Sequence, residues 1–150
     1  MNRRRQIQLT PDEQEAFLRD HRKAALATID QNGFPHLVAM NFLAKDGAFY
    51  MTSYTKAQKV VNIRRDPKVA LMVEAGNNYA ELRGVMVRGH CEIIDGADAV
   101  RSAFAAMAEA RGTTYRRPSG SADSAPKRVV LKIVPDKITS WDHSKLGGSY

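Results

Sequence analysis

The sequence predicts a mainly β fold with flanking helices, a small antiparallel barrel on which helices pack, and three observations carry that prediction. About seven short apolar runs containing β-branched residues are spaced along the chain between turn signals. Only about three stretches carry helix punctuation. Two glycines, Gly84 and Gly89, stand inside the longest strand pattern, where a barrel needs bulges or sharp bends. With 150 residues and 43% hydrophobic composition, the chain suffices for one ordinary core, so residues 1–150 read as a single domain.

The elements follow in order. "LTPDEQEAFL" places Thr10 as an N-cap, Pro11 at the first helical position and acids in the first turn, and this helix ends near Asp20. "AALATID" and "HLVAMNFLA" are strands separated by "QNGFP", whose Asn32-Gly33 is a hairpin signal. Asp46-Gly47 turns the chain into the next strand, "AFYMTS". A helix that starts after Thr55 and closes at Asp66-Pro67 precedes "KVALMVE" and the long strand "ELRGVMVRGHCEIID". "GADAVRSAFAAMAEARG" is a helix capped near Asp95 and ended by Gly112. Residues 112–126 form a Ser/Pro/Gly-rich surface loop of lid-like character, "KRVVLKIVP" and "KITSW" complete the sheet, and 142–150 is a tail.

A formal net charge of +7 favours anionic partners without choosing among nucleic acid, a phosphorylated cofactor and a membrane surface. A single cysteine, Cys91, excludes an internal disulfide framework and any CxxC motif, and burial in the long strand is its expected role. The basic N-terminus has no apolar run behind it, and no segment approaches the roughly 20 apolar residues of a spanning helix, so a cytoplasmic protein is expected. The four histidines lack metal-ligand spacing, and no metal site is expected. Asp142-His143-Ser144 carries the residue types of a hydrolytic triad, but adjacent residues point in different directions and cannot line up as one. Without a dense aromatic and basic interleaving, nucleic-acid binding ranks low.

The most informative stretch is "MTSYTKAQKVVNIRRDP", residues 51–67, which gathers hydroxyls and lysines where a strand passes into a helix. Thr55 and Gln58 have capping-box spacing, which places Lys56 at the first helical position and Lys59 on the same face. A phosphate there meets free backbone N–H groups, hydroxyls and one or two ammonium groups; the alternative is a solvated helix start with its lysines in water.

The succession "AALATIDQNGFPHLVAMNF", "AFYMTSYTKAQKVVNIRRDPKVALMVE", "VMVRGHCEII" and "RVVLKIVPDKITSWD" resembles the pyridoxamine 5'-phosphate oxidase-like superfamily, in particular its branch that uses the deazaflavin coenzyme F420. The resemblance runs from about residue 8 to Trp141 and rests on the order and spacing of loose motifs. It implies a split β-barrel of the FMN-binding-protein type, a homodimer, and a flavin or deazaflavin in a groove between subunits. It assigns Lys59 to the cofactor phosphate, Lys56 to the same region, and Thr52 and Ser53 to the strand end near the ring and ribityl chain. It also assigns Met40 and Asn41 to the strand along the ring, and Trp141 to an approach from the other subunit.

Two departures from the flavin-mononucleotide (FMN) oxidases matter. "TKAQK" has two lysines and no arginine, and Asp142, His143, Ser144 and Lys145 stand where those enzymes carry a Trp…Arg pattern. F420, with its anionic tail near Arg64 or Arg65, is therefore the expected cofactor and FMN the alternative. The implied reaction is hydride transfer with a small organic acceptor, for which Tyr79, Arg83, Lys145 and Tyr150 are unranked proton-donor candidates. A non-catalytic carrier of flavin, deazaflavin or haem, the last through His143, is a further alternative.

Overall fold

The computed structural model describes residues 2–147. In chain order it contains α1 (Arg3–Gln6), α2 (Pro11–Asp20), β1 (Lys23–Ile29), β2 (Pro35–Asn41), β3 (Leu43–Lys45), β4 (Ala48–Tyr54) and α3 (Gln58–Arg65). There follow β5 (Lys68–Ala75), β6 (Arg83–Ile94), α4 (Ala97–Ala110) and β7 (Arg128–Asp142), with short 3-10 turns between. All strand pairs are antiparallel, in the order β2-β1-β5-β6-β7-β4-β3, and the sheet curls into the half-barrel of the split-barrel type.

Local chemistry explains the joints. Thr10 Oγ1 accepts from Glu13 N at 3.2 Å while Glu13 Oε2 accepts from Thr10 N at 2.8 Å, so α2 starts with a reciprocal capping box. Asp46 and Gly47 both adopt positive φ, 51° and 76°, the geometry of a two-residue hairpin between β3 and β4. The β1–β2 turn differs from the expected Asn32-Gly33 pair of central residues. Gly33 N donates to Asp30 O, Asp30 N to Phe34 O, and Gly33 alone takes the left-handed conformation, giving a longer, bulged turn steadied by the Asp30 carboxylate.

Two strand boundaries differ from the sequence reading. "HLVAMNFLA" is split at Phe42, whose N–H donates to Arg22 O and whose ring turns into the core. At that point the chain leaves β1 and begins to pair with β4. Conversely, "KRVVLKIVP" and "KITSW" are one fifteen-residue strand that runs through Pro135. The ladder slips between Arg88 and Gly89, where Gly89 faces Pro135 and Arg88 faces Lys137, and this bulge accommodates a residue without an N–H. A Cβ on Gly89 would strike the Val134 carbonyl, so the close backbone approach requires glycine there. Gly84 has another role, for no bulge lies there and the Trp141 indole packs across it.

Alternation along the strands sends Leu26, Leu71, Val85, Val87, Leu131 and Ile133 into the barrel, all at 0–1% exposure. Truncating one such leucine to alanine costs about 2–5 kcal/mol, which makes this interior the principal source of stability. A smaller cluster, Val100, Ala125 and Val130, seats α4 on the opposite face of β4 and β7. The N-cap of α4 is Gly96, with no side-chain cap, in place of the expected residue near Asp95, which instead pairs with Arg64. At the other end Gly112, φ 71°, closes α4 as anticipated. The 112–126 loop is tied down by Asp123, which accepts from Arg101 at 2.7 Å and Arg117 at 3.1 Å.

Candidate functional site

β4 delivers the chain to α3 beside the first residues of β7, and this junction assembles the site. Register sets Ser53 opposite Val129 and Tyr54 opposite Arg128. The expected capping box does not form. Thr55 instead spends its hydroxyl and its N–H on the Lys127 carbonyl, at 3.1 and 2.9 Å, fastening the turn to β7. The N-cap of α3 is Ala57, without a side-chain hydrogen bond, so the helix begins two residues after Lys56. Lys56 lies exposed in the preceding turn, and Lys59 is the second residue of the helix.

Lys59 Nζ donates to Ser53 Oγ at 3.2 Å. Partial burial holds its ammonium below the ordinary lysine pKa, and the neighbouring Arg128 guanidinium pushes in the same direction. Arg128 lies 4.0 Å over the Tyr54 ring, 5.7 Å from the Phe104 ring, and donates to Ser124 Oγ at 3.2 Å. Among the described residues neither cation has a carboxylate partner. Two positive groups close enough to disfavour each other's charge, near an uncapped helix start, favour one class of occupant, an anion. Sequence reasoning missed Arg128 because its place opposite Tyr54 depends on a pairing between segments more than seventy residues apart.

α3 is anchored from below by a buried polar chain. Gln58 Nε2 donates to Asn62 Oδ1 at 2.7 Å, and Asn62 Nδ2 donates to Thr28 Oγ1 at 3.0 Å. Thr28 and Asn62 are both 0% exposed. Full burial makes this pairing costly to break, so the helix start has a fixed position over β1.

The other expected residues are distributed more widely. Strand alternation sends Ser53 inward and Thr52 to the α4 side, where its cross-strand partner is Val130, so the two do not converge. Likewise Met40 packs against the core while Asn41 is exposed on the outer face. Trp141 lies thirteen residues along β7 from Arg128, about 43 Å of strand path, so one chain does not bring it to Lys59. Arg64 pairs with Asp95, and Arg65 donates to the Ile29 carbonyl.

Of the proton-donor candidates, Lys145 is held by Glu13 at 2.5 Å and Gln8 O at 2.8 Å, and Arg83 stacks over Phe17 at 5.6 Å. Tyr79 packs against His143, whose Nδ1–H donates to the Tyr79 carbonyl at 3.0 Å. Tyr150 lies outside the described residues. Ser144 hydrogen-bonds Asp142 while His143 turns to Tyr79, so the three triad-type side chains diverge. Burial, reinforced by Glu92, pushes the Cys91 thiol up to about 12. Among the described residues no three His, Cys, Asp or Glu side chains group as a metal site, and no helix is long and apolar enough to cross a membrane.

Comparison with known proteins adds the following. The family model described as pyridoxamine 5'-phosphate oxidase matches residues 10–142. A conserved hypothetical protein from Mycobacterium tuberculosis is similar at 35% identity and a TM-score of 0.85, over 97% of this chain and 92% of that one. An F420 reductase is similar at 27% identity and a TM-score of 0.69, over 87% and 98%. A FAD-binding protein from Mesorhizobium loti, at 20% identity and a TM-score of 0.66 over 88% and 94%, shares the fold. No curated protein matches.

Proposed function

Because the chain belongs to the pyridoxamine 5'-phosphate oxidase family, we propose that it is an oxidoreductase whose Lys59 and Arg128 hold the phosphate of a flavin-type cofactor, coenzyme F420 in the first instance. The observation that carries this reading is the pair of cations, Lys59 near the start of α3 and Arg128 beside it, that among the described residues have no carboxylate partner. A phosphate there restores the favourable environment that Lys59 lacks, since its charged form is disfavoured by burial and by Arg128. Backbone N–H groups of the uncapped first turn and the Ser53 hydroxyl complete the cradle. The similarity to an F420 reductase supports the deazaflavin, and FMN is the alternative for the same cradle.

When bound, such a cofactor supplies hydride transfer with a small organic acceptor. The protein's own part is to fix the phosphate end and so the position of the ring, and to exclude water around it. We place this activity in the cytoplasm.

The groove is completed by a second copy of the chain. The outer face of β2, β1, β5 and β6 carries rows of small and apolar side chains, Leu37 with Ala27 and Ala70, and Ala39 with Ala25, Met72 and Met86. Leu37 is 69% and Met72 39% exposed, a surface suited to a self-complementary contact. Asn41 lies on this same outer face, and in such a dimer Trp141 of the partner subunit would be the residue that approaches the cofactor.

Parallel fluorescence titrations with F420 and with FMN test the assignment. Tight F420 binding with weak FMN binding is expected. The reverse would move the protein to FMN chemistry, and binding of neither would remove the reading.

A further inference from the structure

A concavity of about 700 Å³ lies between α2, the β3–β4 hairpin and the C-terminal end of α4. It shares no residue with the Lys59 and Arg128 cluster, and its β4 residues, Ala48 and Phe49, are at the opposite end of that strand from Ser53 and Tyr54. Leu18, Phe42, Phe49 and Met107 form an apolar floor, each no more than 9% exposed. Phe42 is present because the chain breaks between β2 and β3, and its ring meets Phe49 at 6.0 Å.

Around this floor stand Arg19, Arg22, Lys45 and Arg111, against two acids, Glu15 and Asp46. Among the described residues none of these four cations takes part in an ion pair. Elsewhere in the molecule Glu13, Asp95 and Asp123 each hold a cation in an ion pair. A cavity of ligand size with an apolar base and an excess of unpaired cations at its rim matches one chemistry. We infer that this cavity binds amphipathic organic anions, molecules with an aromatic or aliphatic body and a single carboxylate, sulfonate or phosphate group. The body covers Phe42, Phe49 and Leu18, and the anionic group meets Arg19, Arg22 and Lys45, which share the α2 and β3 side of the opening. The site is independent of the proposed phosphate cradle.

Titration of the full chain with 8-anilinonaphthalene-1-sulfonate, alongside the neutral N-phenyl-1-naphthylamine, tests this. Saturable sulfonate binding at about one per chain is expected, as for a preformed pocket. The triple variant Arg19→Ala, Arg22→Ala, Lys45→Ala, whose changes are at exposed positions, should weaken the sulfonate at least about tenfold and leave the neutral compound nearly unchanged. Lys59→Ala and excess FMN should not affect it. Equal sulfonate affinity in the triple variant, non-saturable binding, or loss of binding with Lys59→Ala or FMN would overturn the inference; the last two would locate the dye in the phosphate cradle.

Discussion

Lys59 is legible in the sequence as a helix-start lysine, and Ser53 as the hydroxyl at the end of its strand; their contact at 3.2 Å joins two residues six apart. Arg128 is not legible, since nothing in "KRVVLKIVP" distinguishes a guanidinium aimed at Tyr54 from a solvated one. The pair makes a pH-dependent prediction. Lys59 must be protonated to bind phosphate, and burial followed by Arg128 lowers its pKa below 10.5. Phosphate-dependent affinity should therefore be retained near neutrality and fall as pH rises through that lowered pKa, earlier than for an ordinary lysine. The same shift acts on the free protein with the opposite sign. In that window the unfolded chain binds more protons, so the lysine's cost to stability is relieved as pH rises. Titrating affinity and the denaturation midpoint of the free protein against pH, in wild type and Lys59→Gln, reads both, and an alkaline limb of affinity unchanged in the variant would exclude Lys59 as its source.

At the level of elements, α2, α3 and α4 were readable from their punctuation, but the short α1 after Asn2 and the caps of α3 and α4 were not. Thr55 had a better partner in the Lys127 carbonyl than in its own helix, a tertiary contact that propensity and spacing do not encode. The strands followed alternation closely except at Phe42 and Pro135, where a change of partner and a bulge set the boundaries. The position of α3 rests on Asn62. Asn62→Ala leaves the fully buried Thr28 hydroxyl without its partner and frees the exposed Gln58, and should destabilise the fold by about 1–3 kcal/mol. It should also weaken phosphate binding although Asn62 does not face the cradle, because the first turn loses its anchor. Denaturant melts with parallel cofactor titration separate the effects; unchanged binding in a destabilised but folded variant would show that the anchor does not position the site.

For the molecule as a whole, a curled antiparallel sheet was foreseeable from composition, turns and glycine placement, whereas convergence of the expected site residues was not. Lys59 and Ser53 come together, while Met40, Asn41, Thr52 and Trp141 are spread over different faces and ends of the sheet. The proposed groove between two copies would account for that spread, and it gives a prediction at this scale. Light scattering should report a mass near twice 16.7 kDa, and charged substitutions on the small-residue face, such as Ala27→Glu, should shift it toward a single chain and reduce cofactor binding together. A monomeric mass with cofactor bound would contradict the shared groove.

The central claim is that a cofactor phosphate sits between Lys59 and Arg128. The most direct test is fluorescence titration of F420 into wild type, Lys59→Ala and Arg128→Ala at fixed salt and neutral pH, with thermal melts of each protein alone. Each substitution should weaken binding by about 1.5–3 kcal/mol, the range for a hydrogen bond to a charged group, with the melts of Lys59→Ala little changed. Equal affinity in all three proteins would contradict the account.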